Sequence, residues 1–200
     1  MAEILLFHHA HGLTPGLMAF ADRLRAEDHV VHTPDCYAGA VFDDIDDGIR
    51  FAQDIGHDAV EDVARRAARK HPRADVVMGF SMGTAQAQLL AQDRRRVRGC
   101  LLMGGAQAPG ALGGVWRHQV ALEIHLADPD EYVEQSSLNR LMYHAPHTHV
   151  YRYAGVGHMF VDPGSPDYDA DAADLFEERA VRWLQDLDAQ AWMRTAAHVL

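Results

Sequence analysis

Lysine is almost missing from this chain of 200 residues, because Lys70 is the single lysine among 18 basic residues. A Walker A loop requires a lysine after glycine, and a Schiff-base enzyme requires a sheltered lysine. Lys70 lies between Arg69 and His71, at what the pattern predicts to be an exposed helix end. Neither a Walker A nucleotide site nor Schiff-base chemistry is therefore expected.

Cysteine and long apolar runs are also scarce. Cys36 and Cys100 show no CxxC spacing, so both are predicted to be reduced and structural. The N-terminal apolar run is too short for a signal peptide. Six glycines interrupt the longest uncharged stretch, Gly99–Trp116, so no membrane-spanning helix is expected. These absences predict a cytoplasmic protein.

Positive charge is in deficit as well, since the formal net charge is −11. Such a field repels phosphate backbones and anionic lipid, so neither nucleic acid nor a membrane surface is an expected partner. Hydrophobic types make up 48% of the chain and charged types 24%, as in ordinary globular proteins. The length predicts one domain over residues 1–200.

Short apolar runs alternate with longer amphipathic segments, which is typical of βα units around a mainly parallel sheet. The predicted strands are Ile4–His8, Val30–Thr33, Ala74–Phe80, Gly99–Met103, Val120–Leu126 and His149–Tyr153. The predicted helices are Pro15–Glu27, Asp54–Lys70, Met82–Gln92, about Tyr132–Tyr143 and Asp169–Leu187. We expect an α/β fold with about six strands, helices on both faces and no lid domain.

Two segments carry signals of helix N-termini. Thr14 places a capping hydroxyl before Pro15, which suits the first position of a helix. The acidic residues Asp43, Asp44, Asp46 and Asp47 suit the positive end of a helix dipole. The acidic run is therefore interpreted as local electrostatics at a helix start.

The sequence Gly79-Phe80-Ser81-Met82-Gly83 follows the third predicted strand and precedes a helix pattern. In this context G-x-S-x-G presents the serine hydroxyl at a strained turn that only glycines can flank closely. Ser81 is the candidate nucleophile. The structural alternative is a tight turn that contains a serine by chance.

A serine hydroxyl needs a base and an orienting carboxylate, which in this fold follow the nucleophile along the chain. His158 lies in a glycine-containing loop directly after the last predicted strand and is the leading candidate for the base. The acid is expected at the exit of the strand Val120–Leu126, where Asp128 and Asp130 both qualify. Spacing alone does not choose between them, since one of them can cap the following helix.

Six segments of the chain together resemble those of one known family. They are His9-Ala10-His11-Gly12, Thr33-Pro34-Asp35-Cys36-Tyr37, the turn at Ser81, Asp130-Glu131-Tyr132-Val133, Gly155-x-x-His158-x-Phe160 and Tyr168-Asp169. Over nearly its whole length the chain is similar to small members of the dienelactone hydrolase family, within the α/β-hydrolase fold. The resemblance favours Asp130 over Asp128 as the acid. It also implies an oxyanion hole made by the backbone N–H groups of Ala10 and Met82.

The chain departs from the family pattern at three places. Its nucleophile is a serine rather than a cysteine, His9 stands where a glutamate is expected, and Asp162 stands where an arginine is expected. An acidic Asp162 in a partly dry pocket would repel an anionic lactone, so dienelactone itself is a doubtful substrate. The family's N-terminal strands are also missing, and the chain has no insertion large enough for a lid domain. Together these differences predict an open site for small or accessible acyl groups.

A metal site is the alternative interpretation of the three neighbouring histidines His8, His9 and His11. Side chains so close in an extended segment point in different directions, so no metal is predicted there. Side chains that line either the pocket or the core include Trp116, Met159, Phe160 and Tyr37.

The predicted function is hydrolysis of a small-molecule ester or lactone by a serine nucleophile, without a cofactor. The alternatives are a thioesterase and a non-enzymatic hydrolase-fold binding protein. The chain is expected to be a monomer or a homodimer. The segment Gln190–Leu200 packs either on the body or on another subunit, and the sequence does not decide which.

Overall fold

The structure is a computed structural model that describes residues 1–196, with side chains described through Met193. In the C-terminal segment, Trp192 and Met193 are exposed. Residues 197–200 of the segment Gln190–Leu200, whose packing the sequence leaves open, lie outside the described residues.

A six-stranded parallel sheet forms the centre of the fold. Its strands are β1 (Glu3–Phe7), β2 (Val30–His32), β3 (Val76–Phe80), β4 (Gly99–Met103), β5 (Ala121–Asp128) and β6 (His149–Ala154). They lie in the order β2-β1-β3-β4-β5-β6, and every neighbouring pair is parallel. All six predicted strands are confirmed, with ends that differ by no more than two residues.

In the described part of the chain, six α-helices flank the sheet. They are α1 (Pro15–Ala26), α2 (Ile45–Ile55), α3 (His57–Lys70), α4 (Gly83–Asp93), α5 (Gln135–His144) and α6 (Ala170–Ala196). A short 3₁₀ turn covers Pro109–Leu112. Within the described residues no lid domain lies over the strand ends. No helix in that part of the chain is long and apolar enough to cross a membrane.

The prediction of a single helix over Asp54–Lys70 is wrong. Two helices occupy this region, because Gly56 adopts φ +83° and separates α2 from α3. The acidic run does begin a helix, as predicted: the Asp44 carboxylate accepts hydrogen bonds from the backbone N–H groups of Asp46 and Asp47. Thr14 caps α1 through a hydrogen bond from Leu17 N.

The central strands β1, β3, β4 and β5 bury both of their faces, which explains why their sequences are nearly continuous apolar runs. The edge strands β2 and β6 are partly exposed. On β1, Leu5 and Phe7 contact the core layer under α3, α4 and α5, whereas Ile4 and Leu6 contact the layer under α1 and α6. Cys100 belongs to the first layer and is completely buried. Burial raises the pKa of both cysteine thiols, that of Cys36 to about 12, which fits their predicted structural role.

The strand order defines where a site can form. In chain order, β2 is added on one side of β1, and β3 to β6 are then added one after another on the other side. Parallel sheets of this kind open a crevice at the carboxyl ends of the strands on either side of the reversal, here β1 and β3. The segment after β1 and the turn after β3 therefore meet at one edge of the sheet.

Candidate active site

Ser81 lies in a sharp turn between β3 and α4. It has φ +48°, a left-handed conformation that costs energy for a residue with a side chain. A Cβ at Gly79 would stand 2.2 Å from the Gly83 carbonyl oxygen, and a Cβ at Gly83 would stand 2.5 Å from that of Phe7. Neither position can carry a side chain without a backbone shift. The two glycines of the motif are thus required by the close approach of α4 to β1 and β3.

The structure brings Ser81, His158 and Asp130 together in one hydrogen-bonded row. Ser81 Oγ lies 2.7 Å from His158 Nε2. His158 Nδ1 lies 2.9 Å and 2.8 Å from the two carboxylate oxygens of Asp130. The His158 and Asp130 side chains are each only 3% exposed. With Nδ1–H donating to Asp130, Nε2 is the free acceptor for the serine hydroxyl.

The two aspartates after β5 occupy different environments. Asp128 is the last residue of the strand and is exposed. Its backbone carbonyl accepts a hydrogen bond from Gly155 N at 3.0 Å. The carboxylate of Asp130 faces His158 and also accepts a hydrogen bond from Tyr132 N at 3.1 Å. The sequence leaves both residues open, and the structure places only Asp130 at the histidine.

The predicted oxyanion donors lie on the two segments that meet at the crevice. Met82 follows Ser81 directly and stands at the N-terminus of α4, where backbone N–H groups are free and the helix dipole is positive. Ala10 follows β1 and is buried. Within residues 1–196, neither the Met82 N–H nor the Ala10 N–H donates to another protein atom. Both donors are therefore available to a ligand.

His9 and Asp162 form a buried pair beside this row. Asp162 Oδ2 accepts hydrogen bonds from His9 Nε2 at 2.8 Å and from the Thr14 hydroxyl at 2.5 Å. Its other oxygen accepts from Gly164 N at 2.8 Å. Burial on its own raises the pKa of Asp162, but these hydrogen bonds outweigh it and hold the pKa at about 2. Burial lowers the pKa of His9. The pair is thus a carboxylate anion beside a neutral imidazole.

This arrangement corrects the expectation that Asp162 would repel an anionic substrate. The carboxylate is 3% exposed and is held by three donors, and it does not line the cavity next to His158. It instead joins the segment after β1 to the loop after His158. Sequence position showed that an acid stands where the family has an arginine, but not that His9 and Thr14 would enclose it.

The other histidines of the first loop have separate partners. His8 Nδ1 lies 2.8 Å from the carbonyl oxygen of His9, and His8 Nε2 accepts a hydrogen bond from Cys36 N. Burial lowers the pKa of His8 to about 4. His11 Nδ1 lies 2.9 Å from the Phe42 carbonyl oxygen. The three rings point to three different groups, as the extended segment predicts.

A cavity of about 270 Å³ opens beside His158. Its lining residues are His11, Asp43, Asp44, Ile45, Pro129, Asp130, Glu131, Tyr132, Gly157, His158, Ser165, Pro166 and Asp167. The Tyr132 ring lies 4.5 Å from the His158 ring, centroid to centroid, and shields it. No lysine or arginine is among these lining residues. We call Asp43, Asp44, Glu131 and Asp167 the acidic rim.

The acidic rim was missed by sequence reasoning. Asp43 and Asp44 were visible as part of an acidic run, but capping of α2 accounts for that run without any cavity. The four suggested lining residues are also elsewhere: Met159 and Phe160 are completely buried, Tyr37 is 3% exposed, and Trp116 lines a different cavity. Only the fold brings the start of α2 to the loops after β5 and β6.

A larger cavity, of about 670 Å³, is remote from these groups. It lies between α6 and the N-terminal ends of β5 and β6, with Ala121, His149 and Trp183 among its lining residues. Ser81, His158 and Asp130 do not line it. The smaller cavity is therefore the candidate active site, because His158 and Asp130 line it.

Substituting Asp162→Asn tests the buried pair. Because the folded pKa is about 2 and the ordinary value 3.8, ionised Asp162 stabilises the fold above about pH 4, and this stabilisation is lost as the pH falls towards 2. We expect the variant to lose about 2 kcal/mol of unfolding free energy at pH 7. Urea unfolding from pH 7 to pH 3 should show the difference from the unsubstituted chain narrowing below pH 4.

The matched control is Asp54→Asn, because Asp54 is exposed on α2. It should leave the unfolding free energy unchanged. A difference for Asp162→Asn that is the same at pH 7 and pH 3 would contradict the assignment of a buried anion.

The family model "Dienelactone hydrolase family" matches residues 2–187. A dienelactone hydrolase-like promiscuous phosphotriesterase from metagenomic libraries is 21% identical, with a TM-score of 0.77 over 94% of this chain and 87% of that chain. A protein of Klebsiella pneumoniae subsp. pneumoniae assigned to dienelactone hydrolase is 16% identical, with a TM-score of 0.71 over 92% and 86%.

The esterase domain of a Rhodothermus marinus protein is 13% identical, with a TM-score of 0.60 over 91% of this chain and 85% of that chain. No match was found among curated proteins. Likeness at such low identity establishes the fold, whereas the family model covers most of the chain. The chain belongs to the dienelactone hydrolase family and is a hydrolase of the α/β-hydrolase fold.

Proposed function

We propose that this hydrolase cleaves a carboxylic ester or lactone of a small molecule through an acyl-enzyme formed on Ser81. The observation that carries the proposal is the 2.7 Å hydrogen bond between Ser81 Oγ and His158 Nε2, with Asp130 on the far side of the ring. A nucleophile, a base and an orienting acid in this order are the components of acyl transfer by serine.

The reaction begins as Ser81 Oγ attacks the acyl carbon while its proton passes to His158 Nε2. Asp130 holds the ring in the tautomer that can accept this proton and stabilises the imidazolium that results. The negative charge moves to the former carbonyl oxygen, where the N–H groups of Met82 and Ala10 can donate to it. Each such donor commonly lowers the barrier by about 3–4 kcal/mol.

Collapse of the tetrahedral intermediate breaks the bond to the leaving alcohol, which takes the proton from His158 Nε2. Water then attacks the acyl group, gives its proton to the same nitrogen, and the acid leaves as Ser81 regains its proton. Every proton transfer uses one side chain, so the reaction requires no cofactor. The left-handed φ of Ser81 holds its oxygen where the base can reach it.

The acidic rim indicates which substrates can approach. Carboxylates that face a partly enclosed cavity repel an anionic acyl or leaving group and attract a cationic one. The exposed side chains of Asp43, Asp44 and Glu131 are not neutralised by any lysine or arginine of the cavity lining. We therefore assign neutral or cationic esters and lactones as the substrates, rather than an anionic dienelactone.

The same machinery attacks a thioester, so a thioesterase is the rival enzyme, and a hydrolase-fold protein that only binds a ligand is the rival without chemistry. The intact row from Ser81 to Asp130 favours an enzyme. The cytoplasm as the compartment and a monomer or homodimer as the assembly remain predictions.

Ser81→Ala should abolish ester turnover, with a loss on the order of 10⁶ where chemistry limits the rate. A fluorophosphonate probe should label the unsubstituted chain and leave the variant unlabelled. The control is Ser136→Ala, which removes an exposed hydroxyl on α5. Equal esterase turnover in Ser81→Ala and the control would refute the nucleophile assignment.

Asp130→Asn should lower kcat by about 10⁴, because the amide no longer fixes the correct tautomer of His158. Asp128→Asn is the matched control and should retain full activity, since its carboxylate is exposed and does not contact the histidine. Steady-state kinetics of the two folded variants on one ester decide the question. The reverse result would move the acid role to Asp128.

A panel of matched p-nitrophenyl esters, alike except for a neutral, trimethylammonium or carboxylate group on the acyl chain, tests the acidic rim. The carboxylate ester should have a kcat/KM about tenfold lower than the neutral ester, a difference of about 1.4 kcal/mol. Added salt should reduce this difference in kcat/KM because it screens the exposed carboxylates. The double variant Asp43→Asn/Glu131→Gln should also reduce the difference in kcat/KM between the two esters.

The control for that variant is Asp54→Asn/Asp58→Asn, which removes two charges away from the cavity. A carboxylate ester cleaved as fast as the neutral one would eliminate the rim as a specificity element. The same panel includes a lactone and a neutral thioester. Faster turnover of the thioester would favour the thioesterase, and no turnover together with no probe labelling would favour the binding protein.

A further inference from the structure

A second group of chemically active side chains lies away from the candidate active site. Glu3 begins β1, His32 ends the edge strand β2, and His71 follows the last residue of α3. Each of them offers one donor atom, and the three atoms lie within 4.8 Å of one another. The three residues come from segments distant in the sequence, so the cluster is created by the fold.

Direct contacts hold this cluster together. His32 Nε2 lies 3.2 Å from Glu3 Oε1, and the rings of His32 and His71 are stacked with centroids 3.5 Å apart. Arg73 Nε donates to the other oxygen of Glu3, at 3.3 Å. The carboxylate therefore keeps Oε1 towards the histidines, while a neighbouring donor fixes its second oxygen, as in the outer shell of many metal sites.

Two imidazoles and one carboxylate form a donor set suited to zinc. Zn²⁺ binds histidine nitrogen and carboxylate oxygen at about 2.0–2.2 Å, and a site with three protein ligands completes its tetrahedron with water. Such a tetrahedron places its ligand atoms about 3.4 Å apart. The observed spread of up to 4.8 Å thus requires an inward rotation of one ring.

The surroundings allow that rotation and the entry of an ion. The side chains of Glu3 and His32 are 15% and 25% exposed, and His71 is half-buried. Ligation requires the His71 ring to leave its stack on His32, so that nitrogens of both rings converge on one ion with the Glu3 carboxylate. Arg73, whose side chain is 83% exposed, contacts only the second oxygen of Glu3 and leaves Oε1 facing the histidines.

We propose that Glu3, His32 and His71 form a zinc site that ties β1, β2 and the end of α3 together. The site lies at the opposite end of β1 from the segment that carries Ala10, and none of its residues belongs to the proposed catalytic row. Its role is structural: the ion joins an edge strand of three residues to the rest of the sheet. A ligand bound only by the folded chain raises its thermal stability.

Zinc titration of the metal-free chain, without an affinity tag and after EDTA treatment, tests the proposal. Calorimetry should show one Zn²⁺ per chain with a micromolar dissociation constant, and the melting temperature should rise by a few degrees. Co²⁺ in place of zinc should give the visible absorption of a four-coordinate site. Ester turnover should be the same with zinc and with EDTA.

His71→Ala and Glu3→Gln should each weaken zinc binding at least tenfold and remove the rise in melting temperature. His57→Ala is the matched control, because it removes an exposed histidine from the other end of α3. Should His71→Ala unfold, His32→Gln serves as the second ligand variant. Zinc binding that survives in the folded ligand variants, or that is lost equally in the control, would overturn the proposal.

Discussion

The structure depends on a close approach between backbones at the start of α4, which is possible only because two side chains are missing. Gly79 and Gly83 let the helix begin directly against the ends of β1 and β3. That contact forces Ser81 into its left-handed turn and directs its hydroxyl to His158. It also brings the segment that carries Ala10 beside the free N–H groups of the helix. One steric constraint thus positions both the proposed nucleophile and the proposed oxyanion donors.

Carboxylates have two opposite roles around this site. Asp162 is enclosed, and three donors more than offset the cost of burying its charge. It therefore works as an internal tie between the loops after β1 and β6, and contributes little to what a ligand meets. The acidic rim lies at the cavity, where its charges act on whatever approaches. The location of each charge relative to its donors decides whether it stabilises the protein or selects a substrate.

Much of this arrangement could be predicted from sequence, for identifiable reasons. The central strands are buried on both faces, so they leave long apolar runs that the sequence reveals. A glycine-flanked serine between a strand and a helix likewise predicts a sharp turn. The break between α2 and α3 at Gly56 was missed because a glycine inside an amphipathic pattern does not by itself indicate that one helix ends and another begins. Asp128 and Asp130 both leave β5, and only the path of the chain after the strand separates them. The acidic rim was invisible because its members come from three segments that meet only in the fold.

The acidic rim also bears on how such an enzyme can change in evolution. Asp43 and Glu131 are exposed and belong to loops, and neither packs in either layer of the core. Replacing them alters the electric field at the entrance while the sheet, the turn at Ser81 and the tie at Asp162 stay as they are. Asp44 is less free, because it also caps α2. A family built on this scaffold can therefore broaden its substrate range through a few surface substitutions, without altering the architecture that performs the reaction.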